Sequence, residues 1–463
     1  MERIIWTCYN FLFAIGYFLI LPRFLWRMWR RGGYLPAFGQ RFGIYDESVR
    51  QKLSSPPARV WIHAVSVGEI QVALRFMTEL RAEKPAVRFI LTTTTSTAHA
   101  LAGKMMSRGD LLLYFPIDFP LVIGRVLRRL NPAGLVLVES ELWPNLVRQA
   151  ASRRIPVMLL NGRISNRSFR GYRFLRPLVR RILAHFTILC AQSKTDAGRL
   201  IELGADPERV RVTGSAKYDI AGVPCPAGAQ FAGNLRALGF GEDKLLFVGG
   251  STWPGEEAAL LEIFIKLRGR HPGLRLVLVP RHAERRKEVM AEIAASGLAC
   301  RLWSEASRVI PRNFSADENR VRVAGNSPFN DVLLVDTTGE LRAFYAAAAV
   351  VFIGKSLAAR GGQNPIEAAA CSKPVVAGPH MENFDAVVAD FLEAGAIVRV
   401  GGAGELEQVV GRLLGDAGER RLIGERARRV VLEKSGALRA STKFFLDSLS
   451  ADSRPAASCA FRI

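Results

Sequence analysis

The chain has few cysteines and few histidines for its length. Its 463 residues include six of each, and the cysteines form no C-x-x-C pair and no spacing typical of metal ligands. We therefore expect free thiols in a reducing compartment and no structural zinc. Acidic residues are also outnumbered, with 42 Asp and Glu against 64 Lys and Arg, so the formal net charge is +22. This balance suits anionic lipid, a nucleotide or nucleic acid, and an arginine-rich genome would produce it too.

The signatures of several common enzyme classes are missing. No P-loop and no G-x-G-x-x-G fingerprint follows a strand, which argues against an ordinary NTPase or a nicotinamide enzyme. The H-E-x-x-H zinc motif and the G-x-S-x-G nucleophile elbow are also missing. Outside the N-terminus we find no basic tract with interleaved aromatic residues, which argues against a nucleic-acid-binding protein.

An uncharged apolar run, residues 4–21, opens the chain, and Arg23, Arg27, Arg30 and Arg31 follow it. At a rise of about 1.5 Å per residue the run covers about 27 Å of helix, just enough to cross a bilayer. Because the arginines follow the run instead of preceding it, we predict a retained anchor and not a cleaved signal peptide, with most of the chain on the cytoplasmic side. A buried N-terminal helix is the alternative.

Apolar runs rich in Val, Ile and Leu alternate with helical or turn-rich segments. They lie at residues 59–65, 87–93, 135–138, 156–160, 186–191 and 210–213, and again at 245–248, 274–280, 332–335, 350–353 and 374–377. This alternation predicts an α/β chain with two doubly wound parallel-sheet domains. Such sheets bind ligands outside the carboxyl ends of their strands, so we expect the working site in a cleft between the domains.

We expect five segments along the chain. They are an anchor at 1–31, a first Rossmann-like domain at 32–219, a linker rich in Gly, Ala and Pro at 220–243, a second Rossmann-like domain at 244–430, and a C-terminal helix and tail at 431–463.

The first predicted strand ends in Ser66-Val67-Gly68-Glu69, so Glu69 lies at a strand's carboxyl end. Ser66 followed three residues later by Glu69 is the pattern of a capping box. A carboxylate in the first turn of a helix is also stabilised by the helix dipole. Spacing alone leaves both a capping and a catalytic role open for Glu69.

A second acidic strand end carries Glu139 and Glu141. Two carboxylates at one site suit acid and base catalysis, because their repulsion raises one pKa. Alternatively, Glu141 caps a helix and Glu139 pairs with an arginine. Lys217 follows another strand and either adds a cation to this site or is a solvated surface residue.

The second half has three strand-to-helix turns typical of phosphate binding. Asn364, Pro365 and Glu367 have the residue types of an N-cap, a first helical position and a third one, and free amides there can receive an anion. Residues 337–340 repeat this pattern, and residues 249–252 follow the first strand of this half. Together the turns predict a nucleotide pocket.

Taken in order, these segments resemble the Kdo transferases, which attach Kdo (deoxy-manno-octulosonic acid) to the lipid A precursor of Gram-negative bacteria. The resemblance covers nearly the whole chain. Its landmarks are Trp61-Ile62-His63, Ser66-Val67-Gly68-Glu69, Tyr114-Phe115-Pro116-Ile117-Asp118, Glu139-Ser140-Glu141-Leu142-Trp143-Pro144-Asn145, Lys217-Tyr218-Asp219, Pro280-Arg281-His282, Asp336-Thr337-Thr338-Gly339-Glu340-Leu341 and Asn364-Pro365-Ile366-Glu367.

The resemblance implies a GT-B fold, with the donor CMP-Kdo on the C-terminal domain and a lipid A precursor on the N-terminal one. It implies Glu69 as general base and Glu139 and Lys217 as groups that assist the transition state. It implies no metal, no cofactor and no nucleic-acid partner, and a location at the bacterial inner membrane. The implied CMP contacts are Pro280, Arg281, Thr338, Gly339, Glu340, Asn364, Pro365, Ile366 and Glu367.

The chain departs from the family pattern in three places. Trp253 and Gln363 stand where the resemblance leads us to expect histidines, and Ser96-Thr97-Ala98 replaces a Pro-Thr-Gly turn. These differences affect the details of donor and acceptor binding more than the reaction. The alternatives are another membrane-associated GT-B enzyme that uses a UDP-sugar, and a membrane-tethered nucleic-acid-binding protein.

Overall fold

The computed structural model describes residues 2–31, 35–54, 59–222, 229–305 and 331–452. The chain divides into two compact units. The N unit comprises residues 1–220 and 435–463, and the C unit comprises residues 221–434.

Each unit contains one sheet of seven parallel strands with helices between them. The strands are β1 Arg59–His63, β2 Arg88–Thr93, β3 Leu111–Tyr114, β4 Gly134–Val138, β5 Val157–Gly162, β6 Ile188–Ala191, β7 Val210–Val212, β8 Leu245–Thr252, β9 Leu274–Pro280, β10 Cys300–Leu302, β11 Val332–Leu334, β12 Val350–Ile353, β13 Val375–Ala377 and β14 Val398–Arg399.

The N unit contains eleven of the described helices. They are α1 Glu2–Arg31, α2 Glu47–Ser54, α3 Val67–Glu83, α4 Ser96–Met105, α5 Pro120–Leu130, α6 Pro144–Ser152, α7 Asn166–Phe174, α8 Arg176–Leu183, α9 Lys194–Glu202, α10 Ala216–Ala221 and the C-terminal helix Ala437–Asp452, named α19 below. Short 3-10 helices lie at Leu35–Phe42 and Pro207–Arg209.

The remaining described helices belong to the C unit. They are α11 Ala229–Ala237, α12 Glu256–Arg268, α13 Arg286–Ala295, α14 Leu341–Ala347, α15 Ile366–Ala370, α16 Asp385–Glu393, α17 Ala403–Gly415 and α18 Ala417–Lys434. Short 3-10 helices lie at Ala283–Arg285 and Glu382–Phe384.

The N-unit sheet has the strand order β3-β2-β1-β4-β5-β6-β7. Alternate residues of β1 face opposite sides, so Trp61 lies in one apolar core and Ile62 in the other. Helices α1, α5, α6, α8 and α9 cover the first side, and α3, α4 and α19 cover the second. Both faces of the parallel sheet are therefore buried, which explains why its strands are almost continuously apolar.

The C-unit sheet has the order β10-β11-β9-β8-β12-β13-β14. Helices α12, α13 and α17 pack on one of its faces. In both sheets the chain moves outward from a central strand and then returns to the other side of it, between β1 and β4 and between β8 and β12. The carboxyl ends of these strands are the topological switch points at which such sheets bind ligands.

Helix α1 packs on the N unit along one side only. Trp6 is 3% exposed, the Tyr9 hydroxyl donates to Asp118 at 3.2 Å, and the Phe13 ring contacts Phe119. Its outer side exposes apolar side chains, including Ile4, Phe11, Leu12, Phe18, Leu19 and Ile20. Among the described residues, α1 is the one helix long and apolar enough to cross a membrane, over Ile4–Pro22.

The segment expected to be a linker, residues 220–243, is partly structured. Helix α11 lies inside it, and the side chains of Leu235, Leu238 and Phe240 are buried. Residues 223–228 of the linker, like 453–463 of the tail, lie outside the described part of the chain. The helix expected at the C-terminus is present as α19 and belongs to the N unit.

Candidate active site

Glu69 lies in the first turn of α3, directly after the switch-point strand β1. Ser66 is the N-cap residue and accepts a hydrogen bond from the Glu69 N–H at 3.2 Å, while Glu69 Oε2 accepts one from the Val65 N–H at 2.8 Å. The predicted Ser66 cap is therefore confirmed, whereas the Glu69 carboxylate bonds the amide of Val65, one residue before the N-cap amide that a capping box predicts. The Glu69 residue is 9% exposed, so this carboxylate is largely withdrawn from water.

Glu139 follows β4, which pairs with β1, so the two carboxylates flank the switch point. Its φ of 62° is in the left-handed region, which costs a non-glycine residue free energy. Burial raises the pKa of Glu139, the Glu69 carboxylate raises it further, and the cations of Lys217 and Arg163 oppose both effects. The sequence-predicted residues Glu69 and Lys217 are thus both within electrostatic reach of Glu139.

Asn161, at the end of β5, joins Glu139 to the helix that carries Lys217. Its side-chain N–H donates to Glu139 Oε1 at 3.4 Å, and its Oδ1 accepts from the Ala216 N–H at 3.0 Å. Asn161 is 2% exposed and has a φ of 58°, a conformation that asparagine tolerates better than most residues. This amide therefore fixes the relative positions of Glu139 and Lys217.

Glu141 faces the buried imidazole of His63 across 3.9 Å. Burial lowers the pKa of His63 to about 3, so the pair is not an ion pair. His63 Nδ1 lies 3.1 Å from the Thr92 carbonyl, which only accepts, so Nδ1 carries the proton and Nε2 presents a lone pair. Burial, with Glu69 and Glu139 adding to it, raises the pKa of Glu141 to about 7. The arrangement suits a protonated Glu141 carboxyl beside a neutral histidine.

Glu141 does not cap the following helix, which corrects one of the alternatives above. The N-cap position of α6 is Trp143, which makes no side-chain cap bond. The amides of Asn145 and Leu146 instead donate to the buried carboxylate of Asp118, at 2.9 and 2.8 Å. A residue 27 positions upstream therefore caps α6.

Two further landmark residues have structural roles. Asn145 donates to the Asp118 carbonyl at 2.6 Å and to Asn10 Oδ1 of α1 at 2.8 Å, so it connects helix α1 to the sheet edge. Asp219 accepts from the Gly436 N–H and from the Leu438 N–H, and so holds the start of α19.

The predicted donor-site residues lie after strands β9, β11 and β12 of the C unit. Pro280 is the last residue of β9 and Arg281 follows it, residues 337–340 follow β11, and residues 364–367 lead into α15 after β12. The Arg281 N–H donates to the Thr252 carbonyl at 3.0 Å, next to β8. Burial raises the pKa of Glu367, and the cations of Arg342 and Arg281 oppose the rise, so Arg281 and Glu367 are close in space.

The two predicted helix caps differ in detail from the expectation. Thr337 does not cap α14; its hydroxyl donates to Glu340 Oε2 at 2.8 Å, because Gly339, with a φ of 109°, turns the chain before the helix begins. Asn364 accepts from the Ile366 N–H at 3.1 Å, with Pro365 at the N-cap position. Helix α15 has only five residues, so its dipole is small.

Glu256, at the start of α12, clamps the loop after β12. Its side chain is fully buried and accepts hydrogen bonds from the amides of Trp253, Lys355, Ser356 and Leu357, at 2.9, 2.7, 2.9 and 2.9 Å. Four donors compensate the cost of burying a charge. The loop that leads to residues 361–367 is thereby fixed at its first turn.

Two glycines allow close approach at the C-unit switch point. A Cβ at Gly354 would lie 2.2 Å from the Ser251 carbonyl oxygen, and one at Gly250 would lie 2.1 Å from the Tyr345 hydroxyl. Trp253, which departs from the family pattern, lies between Lys355, whose Nζ is 4.4 Å from its ring centroid, and His282, whose ring centroid is 5.7 Å away.

The roles of Asn161, of Asp118 as a cap and of Glu256 were not predicted from the sequence. The partners of Asn161 lie 22 or more positions away, and the loop that Glu256 holds lies nearly 100 positions away. Within the described residues, no group of three or more His, Cys, Asp and Glu side chains is arranged to hold a metal ion. The expectation that the reaction needs no metal stays a prediction.

Comparisons with known proteins agree with this geometry. Residues 37–220 match the family model for 3-deoxy-D-manno-octulosonic-acid transferase (kdotransferase). The chain is 35% identical to the 3-deoxy-D-manno-octulosonic acid transferase of Bordetella pertussis, over 90% of this chain and 93% of the relative. It is 29% identical to that of Haemophilus influenzae, over 88% and 90%.

A solved glycosyltransferase from Rickettsia africae has a similar fold, with a TM-score of 0.54 and 12% identity over 85% of this chain and 99% of that one. The two doubly wound sheets are accordingly those of the GT-B class. The similarity to the Bordetella enzyme extends along nearly the whole of both chains, and the family's motifs lie at the strand ends of both units. This chain therefore belongs to the Kdo transferase family of glycosyltransferases.

Proposed function

We propose that this protein transfers Kdo from CMP-Kdo to a glucosamine hydroxyl of a lipid A precursor, lipid IVA, in lipopolysaccharide synthesis, with Glu69 as general base. The observation that carries the proposal is the group of Glu69, Glu139 and Lys217 at the β1–β4 switch point of a Kdo transferase family member. The donor binds the C unit and the acceptor binds the N unit.

In the proposed step, the acceptor oxygen attacks the anomeric carbon of Kdo while Glu69 takes its proton. The bond from that carbon to the CMP phosphate oxygen breaks, and CMP leaves as a phosphate monoester. A carboxylate is too weak a base to ionise an alcohol beforehand, so proton transfer accompanies bond formation. Glu69 Oε2 already accepts from the Val65 N–H, which holds the carboxylate in place.

Glu139 and Lys217 assist as charge develops on the sugar. Positive charge grows at the anomeric carbon in the transition state, and the Glu139 carboxylate stabilises it. Lys217 offers a cation to the carboxylate of Kdo. Burial lowers the pKa of Lys217, Arg163 lowers it further, and Glu139 opposes the shift. Asn161 keeps the two groups in register.

On the donor side, Arg281 and the free amides near Asn364–Glu367 and Thr338–Glu340 receive the CMP phosphate. A planar guanidinium suits this anion, and no divalent cation is then required. The anchor helix α1 holds the enzyme at the cytoplasmic face of the bacterial inner membrane, where its acyl-chain-bearing acceptor resides.

The wild-type enzyme tests this proposal directly. Purified protein is incubated with CMP-Kdo and lipid IVA, and products are identified by mass spectrometry, which also counts the Kdo units added. We expect a Kdo-bearing lipid and released CMP. Absence of transfer, with a folded protein and intact substrates, would refute the proposal.

The nucleotide that the protein binds distinguishes this proposal from the alternative in which the donor is a UDP-sugar. We expect CMP to raise the melting temperature and UDP to leave it unchanged, since the pocket is proposed to fit the cytidine nucleotide. Protection by UDP alone would favour another GT-B glycosyltransferase.

A further inference from the structure

Helices α7 and α8 form a hairpin that is strongly basic and has an exposed apolar tip. Residues 166–181 contain six arginines and no acidic residue. Phe174, at the end of α7, is 88% exposed, and the adjoining Leu175 is 50% exposed. The segment combines basic and aromatic residues outside the N-terminus, which corrects the expectation above that the chain has no such tract.

The hairpin is fixed to the N unit, so its tip is not a fraying end. Ser165 caps α7 by accepting from the Ser168 N–H at 3.1 Å. Tyr172 and Leu178 pack against the apolar core, and Val179 and Ile182 of α8 lie within it. The side chain of Phe174 is therefore exposed at the tip of a hairpin whose residues Val179 and Ile182 are buried.

Most of the hairpin's positive charge is unneutralised within the protein. Arg173 pairs with Glu202 at 3.5 Å, with both side chains more than half exposed, and such a pair contributes little to stability. Arg167, Arg170, Arg176 and Arg180 are exposed, and none forms an ion pair with a residue of the described ranges. Four guanidinium groups beside a protruding Phe-Leu pair are the composition of an interfacial helix.

Two contacts relate the hairpin to the anchor and to the catalytic residues. The ring of Trp6 in α1 lies 6.5 Å from that of His185, which directly follows α8, so both elements belong to the same side of the sheet. The Glu141 carboxylate contributes to the raised pKa of Tyr172, behind burial, so α7 lies next to the carboxylate cluster.

We propose that the α7–α8 hairpin is a second membrane contact, distinct from α1, in which its arginines bind the phosphates of an anionic lipid surface and Phe174 and Leu175 enter the acyl boundary. This inference rests on the proposed function in one respect, namely that the active site of the N unit must reach a lipid acceptor in the membrane. The hairpin then brings the bilayer surface to the edge of the N unit that carries Glu141.

The chemistry favours lipid over nucleic acid. Phosphate binding by arginine is common to both, but a nucleic acid gains nothing from an exposed aliphatic Leu175, whereas an acyl layer does. Two other aromatic residues lie beside the arginines. Phe169 is covered by the guanidinium groups of Arg173 and Arg199, 5.9 and 5.5 Å from its ring centroid, and Tyr172 packs against the apolar core.

The test uses the full chain reconstituted into vesicles. In a background with Cys8, Cys225, Cys300, Cys371 and Cys459 replaced by serine, which keeps the buried Cys190, Phe174→Cys is labelled with an environment-sensitive dye. Met105→Cys, an exposed position of α4 on the opposite face of the sheet, is the matched control. Vesicles of phosphatidylcholine, with or without phosphatidylglycerol, carry brominated acyl chains that quench a dye only within the membrane.

We expect several-fold stronger quenching at position 174 than at 105 in phosphatidylglycerol vesicles. The variant Arg167→Gln, Arg170→Gln and Arg176→Gln should reduce that quenching, whereas Lys104→Gln, Arg108→Gln and Arg439→Gln, which removes equal charge elsewhere, should not. Equal quenching at 174 and 105 would overturn the proposal, as would a dye response to soluble RNA as large as that to vesicles.

Because neither CMP-Kdo nor the acceptor is present, failure here leaves the proposed reaction untouched. A folded protein is verified by its melting temperature for every variant. Conversely, absence of Kdo transfer would not alter the quenching result.

Discussion

At the scale of single residues, the site depends on polar groups whose partners are far apart in sequence. Glu69 shows how one residue satisfies two interpretations. It completes the capping interaction that its spacing predicts, and the same spacing places its carboxylate at the carboxyl end of β1. The sequence could therefore predict its position, whereas Asn161, which bonds to residues on two other elements, has no local pattern.

Replacing Asn161 tests whether it holds the catalytic groups. In Asn161→Ala the buried Ala216 N–H loses its acceptor, which costs about 1–3 kcal/mol of stability. We also expect kcat to fall by roughly tenfold, equivalent to about 1.4 kcal/mol in the transition state, because Glu139 loses its donor.

Asn161→Asp is the matched variant. It keeps an acceptor for Ala216 but turns the donor to Glu139 into a second negative charge, so stability should recover while kcat stays low. Unchanged kcat in both variants, measured with saturating substrates, would show that Asn161 serves the fold alone.

Glu141 predicts a pH dependence of stability. Its folded-state pKa of about 7 lies above the ordinary glutamate value of 4.5, so the unfolded chain loses this proton first as pH rises. The group therefore costs nothing below about pH 4.5 and destabilises the fold progressively up to about pH 7. Glu141→Gln should melt higher than wild type by a few degrees at pH 8, and the difference should vanish near pH 4.5.

The lowered pKa of His63 changes the pH dependence of stability in the opposite direction to that of Glu141. Its folded-state pKa of about 3 lies below the ordinary histidine value of 6.5, so it favours folding at higher pH. The wild type and Glu141→Gln both keep that contribution, so it cancels in their comparison. A melting difference independent of pH between 4.5 and 8 would contradict the raised pKa of Glu141.

At the scale of elements, periodicity predicted the central strands and missed three edge strands. The runs at 59–65 and 274–280 correspond to β1 and β9, which are apolar and largely buried. The strands that were not predicted are β3, β10 and β14, of four, three and two residues, and each lies at the edge of its sheet. Helix α15 starts one residue later than predicted, because Pro365 and not Asn364 is its N-cap residue. The Asn364 side chain accepts from the Ile366 N–H.

The clamp formed by Glu256 gives a prediction for the loop after β12. Glu256→Gln offers one acceptor oxygen in place of two and sets an amide N–H against backbone donors. Since the carboxylate accepts four backbone hydrogen bonds while fully buried, we expect a loss of at least about 2 kcal/mol and weaker protection by CMP in thermal melts.

Glu262→Gln on the same helix is the control, because Glu262 is exposed and pairs only with surface Lys266. It should change neither stability nor the CMP effect. If both variants have the same melting temperature and the same response to CMP, Glu256 does not hold the donor-side loop in place.

At the scale of the whole molecule, the two sheets repeat one plan, and the residues singled out from the sequence fall at the carboxyl ends of their strands. Alternation of apolar runs was enough to predict two such sheets. It could not predict that residues 435–452 return to the N unit, because that placement depends on the Asp219 bonds to α19 and on Phe445 in the N-unit core.

The measurement that tests the central claim most directly is Kdo transfer by Glu69→Gln. Glutamine still accepts from the Val65 N–H, so the cap, the melting temperature and CMP binding should persist. If Glu69 is the general base, turnover with CMP-Kdo and lipid IVA falls by roughly a hundred- to ten-thousandfold. Near-normal turnover in the folded, CMP-binding variant would contradict a catalytic role for Glu69 and leave it only the capping of α3.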